Sequence, residues 1–296
     1  MNDSANTEYL SRYFDRADTL VEALPYIQRL FGKTIVVKYG GAAMQNEEMT
    51  RSILEDVTLL RFVGMNPILV HGGGPEINRT LDAFGIEPQF VDGLRVTDDA
   101  TMAVVQMVLA GKINKDIAAK MNAMGASAIG LCGIDGRVLL AKKQERGDGI
   151  DLGNVGEVVD VNAQLLNTLT SEGYIPVIAP VGIGEDGQSF NINADIAASA
   201  IARALEAEKL IYLTDTDGIR TQRDDPESLL YVASRTDILN MMDDGRIAGG
   251  MVPKAQSCLD ALSGGVHRAH ILNGTIPHPL ILEIFTDSGI GTMVTG

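Results

Sequence analysis

Six near-continuous runs of aliphatic and β-branched residues punctuate the chain from residue 34 onward. They are TIVVKY (34–39), PILVH (67–71), SAIGL (127–131), YIPVIAPV (174–181), EKLIYLTD (208–215) and RAHIL (268–272). A strand that is apolar at successive positions, not alternate ones, is buried on both faces. Between the runs, apolar residues recur every three or four positions, which is helical spacing. Helices are expected near 46–63, 75–84, 98–124 (two segments around Gly111), 162–173, 194–206, 250–263 and 278–285. Strand and helix in alternation predict an α/β protein with a mostly parallel central sheet covered on both faces. GRVLLAKK and GEVVDV read as antiparallel or edge strands, and GTMV as a short last strand. With 296 residues, 45% of them hydrophobic, the chain can fill one large domain or two lobes. It contains 32 glycines and only 5% aromatics, which suits many short strand–helix turns and not a β-sandwich.

Residues 8–31 precede the first strand and form an addition to this scheme. Tyr9, Leu10, Tyr13, Phe14, Ala17, Leu20, Val21, Leu24, Ile27 and Leu30 fall at helical spacing, with Pro25 expected to kink or break the helix. Its apolar side packs either on its own domain or, as the sharper reading, on a neighbouring subunit.

The net charge of −15 repels nucleic-acid backbones and demands local cations for any anionic substrate. Cys132 and Cys258 are too few for a disulfide framework or a four-cysteine zinc site and read as small buried hydrophobes. The histidines at 71, 267, 270 and 278 form no HExxH pattern. The polar N-terminus and the lack of an 18-residue apolar run point to a cytoplasmic protein.

Two motifs are decoys. GKT at 32–34 lacks the earlier glycine of a phosphate-binding loop and precedes a strand instead of opening a helix. GIGEDG at 182–187 fits G-x-G-x-x-G by letter, but QSFNIN follows it and its two acids would repel a pyrophosphate. It reads as a hairpin turn.

Six other stretches are candidates for chemistry. In HGGGPEIN a buried strand runs into Gly72, Gly73 and Gly74, with Pro75 opening a helix. Bare backbone amides at a helix N-terminus make an anion site. His71 there reads as a structural strand-end residue. In VVKYGG, Lys38 stands two residues before Gly40 and Gly41, at the carboxyl end of its strand. In GGMVPK, Lys254 falls in the first turn of a helix, where the dipole disfavours a cation unless something negative is bound. In NINADIAASAIA, Asn193 suits an N-cap, and Asp195 either complements the dipole or sits between the two lysines. LTDTDG at 213–218 holds a nucleotide or merely turns the chain. Arg95 in GLRVTD is a surface arginine or a bidentate carboxylate clamp.

Taken in order, VVKYGG, HGGGPEIN, GLRVTD, NINAD, LTDTDG and GGMVPK resemble the amino acid kinase family, over essentially the whole chain from residue 33. The resemblance implies a three-layer αβα sandwich, an oligomerisation segment at 1–32, an acceptor lobe at 33–180 and an ATP lobe at 181–296. Among the family's members, the chain is similar to those that phosphorylate the γ-carboxylate of N-acetyl-L-glutamate. Lys38 and Lys254 would then stabilise the transferring phosphoryl group, and Asp195 would organise them. Gly41, Gly73 and Gly74 would donate amides, Arg95 and Asn191 would bind the acceptor, and Gly40, Thr214, Asp217 and Gly218 would belong to the ATP site. Mg²⁺ would ride on the ATP phosphates, with no protein metal ligand.

The same resemblance implies feedback inhibition by L-arginine and a homohexamer, a trimer of dimers joined by interlaced N-terminal helices. Tyr13, Lys209, His267, Glu283 and Gly289 would form the arginine site. Glu283 reads equally well as a solvated helix residue. Several segments are also similar to the photosynthetic type, which binds the PII signalling protein. The competing readings are a kinase of the same fold acting on aspartate, glutamate, carbamate or a nucleoside monophosphate, and a non-catalytic arginine sensor.

Overall fold

The computed structural model describes residues 14, 17–44, 46–222 and 224–296. Fourteen strands are defined among them: β1 Thr34–Tyr39, β2 Asn66–His71, β3 Phe90–Val91, β4 Leu94–Arg95, β5 Ala128–Cys132, β6 Leu139–Lys143, β7 Gly156–Val161, β8 Ile175–Ala179, β9 Val181–Ile183, β10 Ser189–Asn191, β11 Lys209–Thr214, β12 Val232–Ser234, β13 Arg268–Asn273 and β14 Thr292–Thr295. Eight of them form one sheet in the order β12-β14-β13-β11-β1-β2-β8-β5. Every neighbouring pair is parallel except β13 with β14.

The apolar runs explain why this sheet is interior. In β1, Val36 enters one core cluster, while Ile35 and Val37 enter the other on the opposite face. Successive side chains of a strand alternate in direction, so an unbroken apolar run buries both faces. The expected α/β architecture, a mostly parallel sheet between helices, is the one observed.

A second sheet, β10-β9-β6-β7, and the hairpin β3–β4 lie outside the main sheet. GRVLLAKK and GEVVDV pair antiparallel as β6 and β7, as expected. GIGEDG is the turn of the antiparallel β9–β10 hairpin, closed by Gly184 N donating to Gln188 O at 2.8 Å. The main sheet draws strands from both sides of residue 180: β8 ends at Ala179, β9 joins the smaller sheet, and the chain returns with β11.

Two local expectations are corrected, and one region is new. YIPVIAPV is two strands, with Pro180 between them and outside both ladders. The region 98–124 is not interrupted at Gly111. Helical backbone continues through Asp99–Gln106, a π-helical stretch Met107–Ile113 and Asn114–Ala123. Finally, β12 and the helix Arg235–Asp243, closed by a Ser234–Asp237 capping box, had no counterpart in the sequence reading.

The first part of the helix expected at 8–31, with Tyr13, lies outside the described residues. Residues 17–22 are helical, a turn occurs at Ala23, and the helix resumes as Leu24–Leu30 with Pro25 in its first turn. This is the break that proline was expected to cause, since a proline ring clashes with the preceding turn. Phe14, Leu20, Val21 and Leu24 are exposed in the single chain. Among the described residues no helix is long and apolar enough to cross a membrane.

Candidate active site

The carboxyl ends of β1, β2 and β11 lie side by side, with Lys38 level with Val70 and Tyr212. In open α/β sheets this edge is where ligands bind. Here the two glycine turns approach closely. Gly72 N donates to Tyr39 O at 2.8 Å, and a Cβ on Gly72 would lie 3.8 Å from Gly40 Cα. A side chain on Gly40 would come within 3.0 Å of Lys38 Nζ.

One carboxylate gathers the cations. Asp195 Oδ1 stands 2.9 Å from Lys38 Nζ, and Oδ2 accepts from Lys254 Nζ at 2.9 Å. Asp195 is 5% exposed. Burial pushes its carboxyl up, and the two ammonium groups more than offset this, leaving it below the ordinary carboxylate range. Its position is fixed locally. It lies in the first turn of the helix Ala194–Ala204, whose N-cap Asn193 accepts from the amides of Asp195 and Ile196. The buried Tyr212 hydroxyl donates to the Asp195 carbonyl at 3.2 Å. Two lysines against one carboxylate leave a net positive centre, which an anion placed there would complete.

A cleft opens on each side of this centre. The larger, about 380 Å³, is lined by Lys38, Gly40, Gly41, Thr214, Gly218 and Lys254, among others. It also takes Arg220 and Arg246, two cations the sequence reading missed because each looks like a surface arginine. Asp217 is not on its wall. Its carboxylate accepts from Asn273 Nδ2 and Arg220 Nη2, both at 2.7 Å, so it steadies Arg220 from behind. Gly218 has φ +147°, and a Cβ there would lie 2.5 Å from Thr292 Oγ1. Only glycine fits both the backbone and the space. The cleft's donors are ammonium, guanidinium and amide groups, which suit a polyanion. A divalent cation would enter with that polyanion's oxygens.

The smaller cleft, about 190 Å³, is lined by Gly72–Gly74, Phe90, Arg95 and Asn191, among others. Arg95 is 8% exposed, and its guanidinium lies 4.7 Å from the centre of the Phe90 ring. Nη2 donates to Asn78 Oδ1 at 2.6 Å, whereas Nη1 is buried with no partner. Among the described residues no carboxylate pairs with Arg95, and burial lowers its pKa. A buried, unpaired guanidinium is costly unless a ligand satisfies it. Asn191 Nδ2 donates to the buried Thr97 Oγ1 at 3.1 Å, so Thr97 fixes the rotation of that amide. Asn78 and Thr97 carried no sequence signal, since their roles exist only through partners 17 and 94 positions away.

Elsewhere, Lys209, His270 and Glu283 form a buried row. His270 Nε2 is 2.9 Å from Lys209 Nζ, and its Nδ1 is 2.7 Å from Glu283 Oε1. Glu283 Oε2 accepts from Ile290 N at 2.7 Å, and a Cβ on Gly289 would lie 2.6 Å from it. Burial pulls the Lys209 amine down to about 8 and the His270 ring to about 4. His267, expected in this group, is exposed at the turn before β13. The alternation of β13 turns His270 inward instead. Glu283 is buried and paired, not a solvated helix residue.

The family model described as the amino acid kinase family matches residues 33–273. An acetylglutamate kinase of Caldicellulosiruptor saccharolyticus is 52% identical over 290 residues, covering 97% of this chain and 99% of that protein. One from Methanocaldococcus jannaschii is 52% identical over 289 residues, covering 95% and 96%. Among solved structures, an N-acetylglutamate synthase of Neisseria gonorrhoeae, complexed with coenzyme A and N-acetyl-glutamate, superposes with TM-score 0.84 at 30% identity. The match covers 95% of this chain and 63% of the synthase. A carbamate kinase of Giardia lamblia bound to AMP-PNP shares the fold at TM-score 0.63 and 16% identity, over 89% of this chain and 98% of that one.

Proposed function

Because the chain belongs to the amino acid kinase family, we propose that it transfers the γ-phosphoryl group of ATP to the side-chain carboxylate of N-acetyl-L-glutamate. The observation that carries this reading is Asp195 bridging Lys38 and Lys254 between the two clefts. ATP occupies the larger cleft, with its terminal phosphate at the lysine pair and its Mg²⁺ on the phosphate oxygens. The acceptor occupies the smaller cleft, its α-carboxylate on the free Nη1 of Arg95 and its acylated nitrogen near Asn191.

The acceptor carboxylate is already ionised at neutral pH, so no general base is required. It attacks the γ-phosphorus in line. As the bond to the leaving ADP oxygen breaks, charge on the equatorial oxygens is met by both ammonium groups and by the amides of Gly41, Gly73 and Gly74. Such catalysis is positioning plus electrostatics. A panel of acceptors with ATP tests the reading. ADP release is expected with N-acetyl-L-glutamate and not with glutamate, aspartate or carbamate. Turnover on glutamate without turnover on the acetylated acid would overturn it.

A regulatory reading goes with this one. Arginine is the inhibitor, its guanidinium on Glu283 in a site with Lys209 and Gly289, and with His270 in place of His267. The exposed Leu20, Val21 and Leu24 support a hexamer interlaced through this segment. Light scattering on the chain without residues 1–30 should find a dimer where the full chain is a hexamer, with weakened arginine inhibition. An unchanged hexamer rules the interlacing out.

A further inference from the structure

His71 ends β2 immediately before the three glycines and is fully buried. Its Nδ1 lies 2.9 Å from the carbonyl oxygen of Gly72. A carbonyl only accepts, so Nδ1 carries the proton and Nε2 is bare. Asn114 Nδ2 lies 3.1 Å from that Nε2 and shares its two hydrogens among three acceptors. The same amide reaches across the neighbouring strands to Val177 O at 2.8 Å and Leu131 O at 3.2 Å. Its Oδ1 accepts from Lys115 Nζ, and Gly130 lacks the Cβ that would fall 2.2 Å from that oxygen. Burial lowers the His71 pKa to about 4, so the ring is neutral at physiological pH.

The consequence concerns a single peptide plane. In a trans peptide the C=O of one residue and the N–H of the next point in opposite directions. The Gly72–Gly73 peptide is flanked by glycine on both sides, where turning the plane over meets little steric resistance. With its carbonyl held by His71, its other end, the Gly73 N–H, is held pointing away from that ring, and Gly73 lines the smaller cleft. Gly73 is also clamped from beneath, where a Cβ would strike Ile113 and Leu109 of the π-helical stretch at 2.5 and 2.6 Å.

We infer that His71, whose Nδ1–H is set by the Gly72 carbonyl, is a positioning residue that locks the Gly72–Gly73 peptide so that Gly73 N–H meets the transferring phosphoryl group. This rests on the kinase reading above. The test separates the two nitrogens. Asparagine at this position can place an N–H donor where Nδ1 stands, whereas glutamine reaches only the Nε2 side and serves Asn114. The lock predicts that His71→Asn keeps kcat within about fivefold of the parent. His71→Gln and His71→Leu should fall roughly 10²-fold, the usual effect of losing one transition-state donor, with KM for ATP little changed. A merely structural role predicts the reverse order, glutamine above asparagine, and that order overturns the lock. Equal kcat in all variants does the same. If the variants fail to fold, ¹⁵N spectra of the unmodified protein still decide: a bare Nδ1 with protonated Nε2 refutes the inference. Failure of the parent to phosphorylate N-acetyl-L-glutamate would instead sink the functional reading and leave the tautomer result standing.

Discussion

Lys254→Ala is expected to lower turnover roughly 10²–10³-fold with ATP and N-acetyl-L-glutamate, by analogy with removing one preorganised transition-state donor. KM for the acceptor should change little, because Lys254 lines the larger cleft and not the smaller one with Arg95. The reasoning is electrostatic. With both lysines present, Asp195 neutralises one of two charges and the centre stays positive. Without Lys254 the Lys38–Asp195 pair is neutral, and the charge developing on the phosphoryl oxygens meets no net counter-charge. Folding should survive, since the remaining pair is complete. Asp195→Ala is the contrasting case. It leaves two ammonium groups crowded together in a poorly solvated site, and breaking a buried ion pair from one side costs about 3–5 kcal/mol. Steady-state kinetics and thermal unfolding distinguish the two. Turnover of Lys254→Ala within threefold of the parent would remove the two-lysine clamp from the mechanism.

Arg95→Leu should raise KM for N-acetyl-L-glutamate by about 10²-fold or more, with KM for ATP nearly constant. Hydrogen bonds to charged groups contribute about 1.5–3 kcal/mol each, and a guanidinium fork offers a carboxylate two of them. Arg95→Lys keeps the charge but loses the fork, and should fall between the parent and the leucine variant. The leucine variant should also unfold at a temperature equal to or above the parent's. The parent buries a guanidinium whose Nη1 has no partner, a cost that only ligand relieves. Loss of affinity together with gained or equal stability marks a binding residue. A large drop in melting temperature with unchanged KM would instead make Arg95 a scaffold residue.

Much of the candidate site's geometry could be read from the chain because its parts are local. Lys38, two residues before a glycine pair, and three glycines opening a helix are short motifs whose geometry follows from backbone sterics. Asn193 caps its helix as its residue type and position suggest, and this carries Asp195 into the first turn. The misplaced pieces depended on distant partners. His267 and His270 are three residues apart in one strand approach, and only the packing against Glu283 distinguishes them. Asp217 sits in a nucleotide-like motif, yet its carboxylate turns to Asn273, 56 positions away. The π-helical stretch at Met107–Ile113 arises where Leu109 and Ile113 pack beneath Gly73, a contact between segments that no periodicity reports.

The sequence by itself determined the order of strands and helices, the parallel sheet buried on both faces, and the glycine turns at its carboxyl edge. Each follows from interactions within a few residues: side-chain alternation, helical spacing, capping and the freedom of glycine. Tertiary structure alone decided which groups meet. Lys38 and Lys254 are far apart along the chain and converge on Asp195 only because β1 and the helices Ala194–Ala204 and Met251–Ser263 pack at one sheet edge. Charge pairing at about 3 Å depends on distance in space, and a one-dimensional pattern does not encode it.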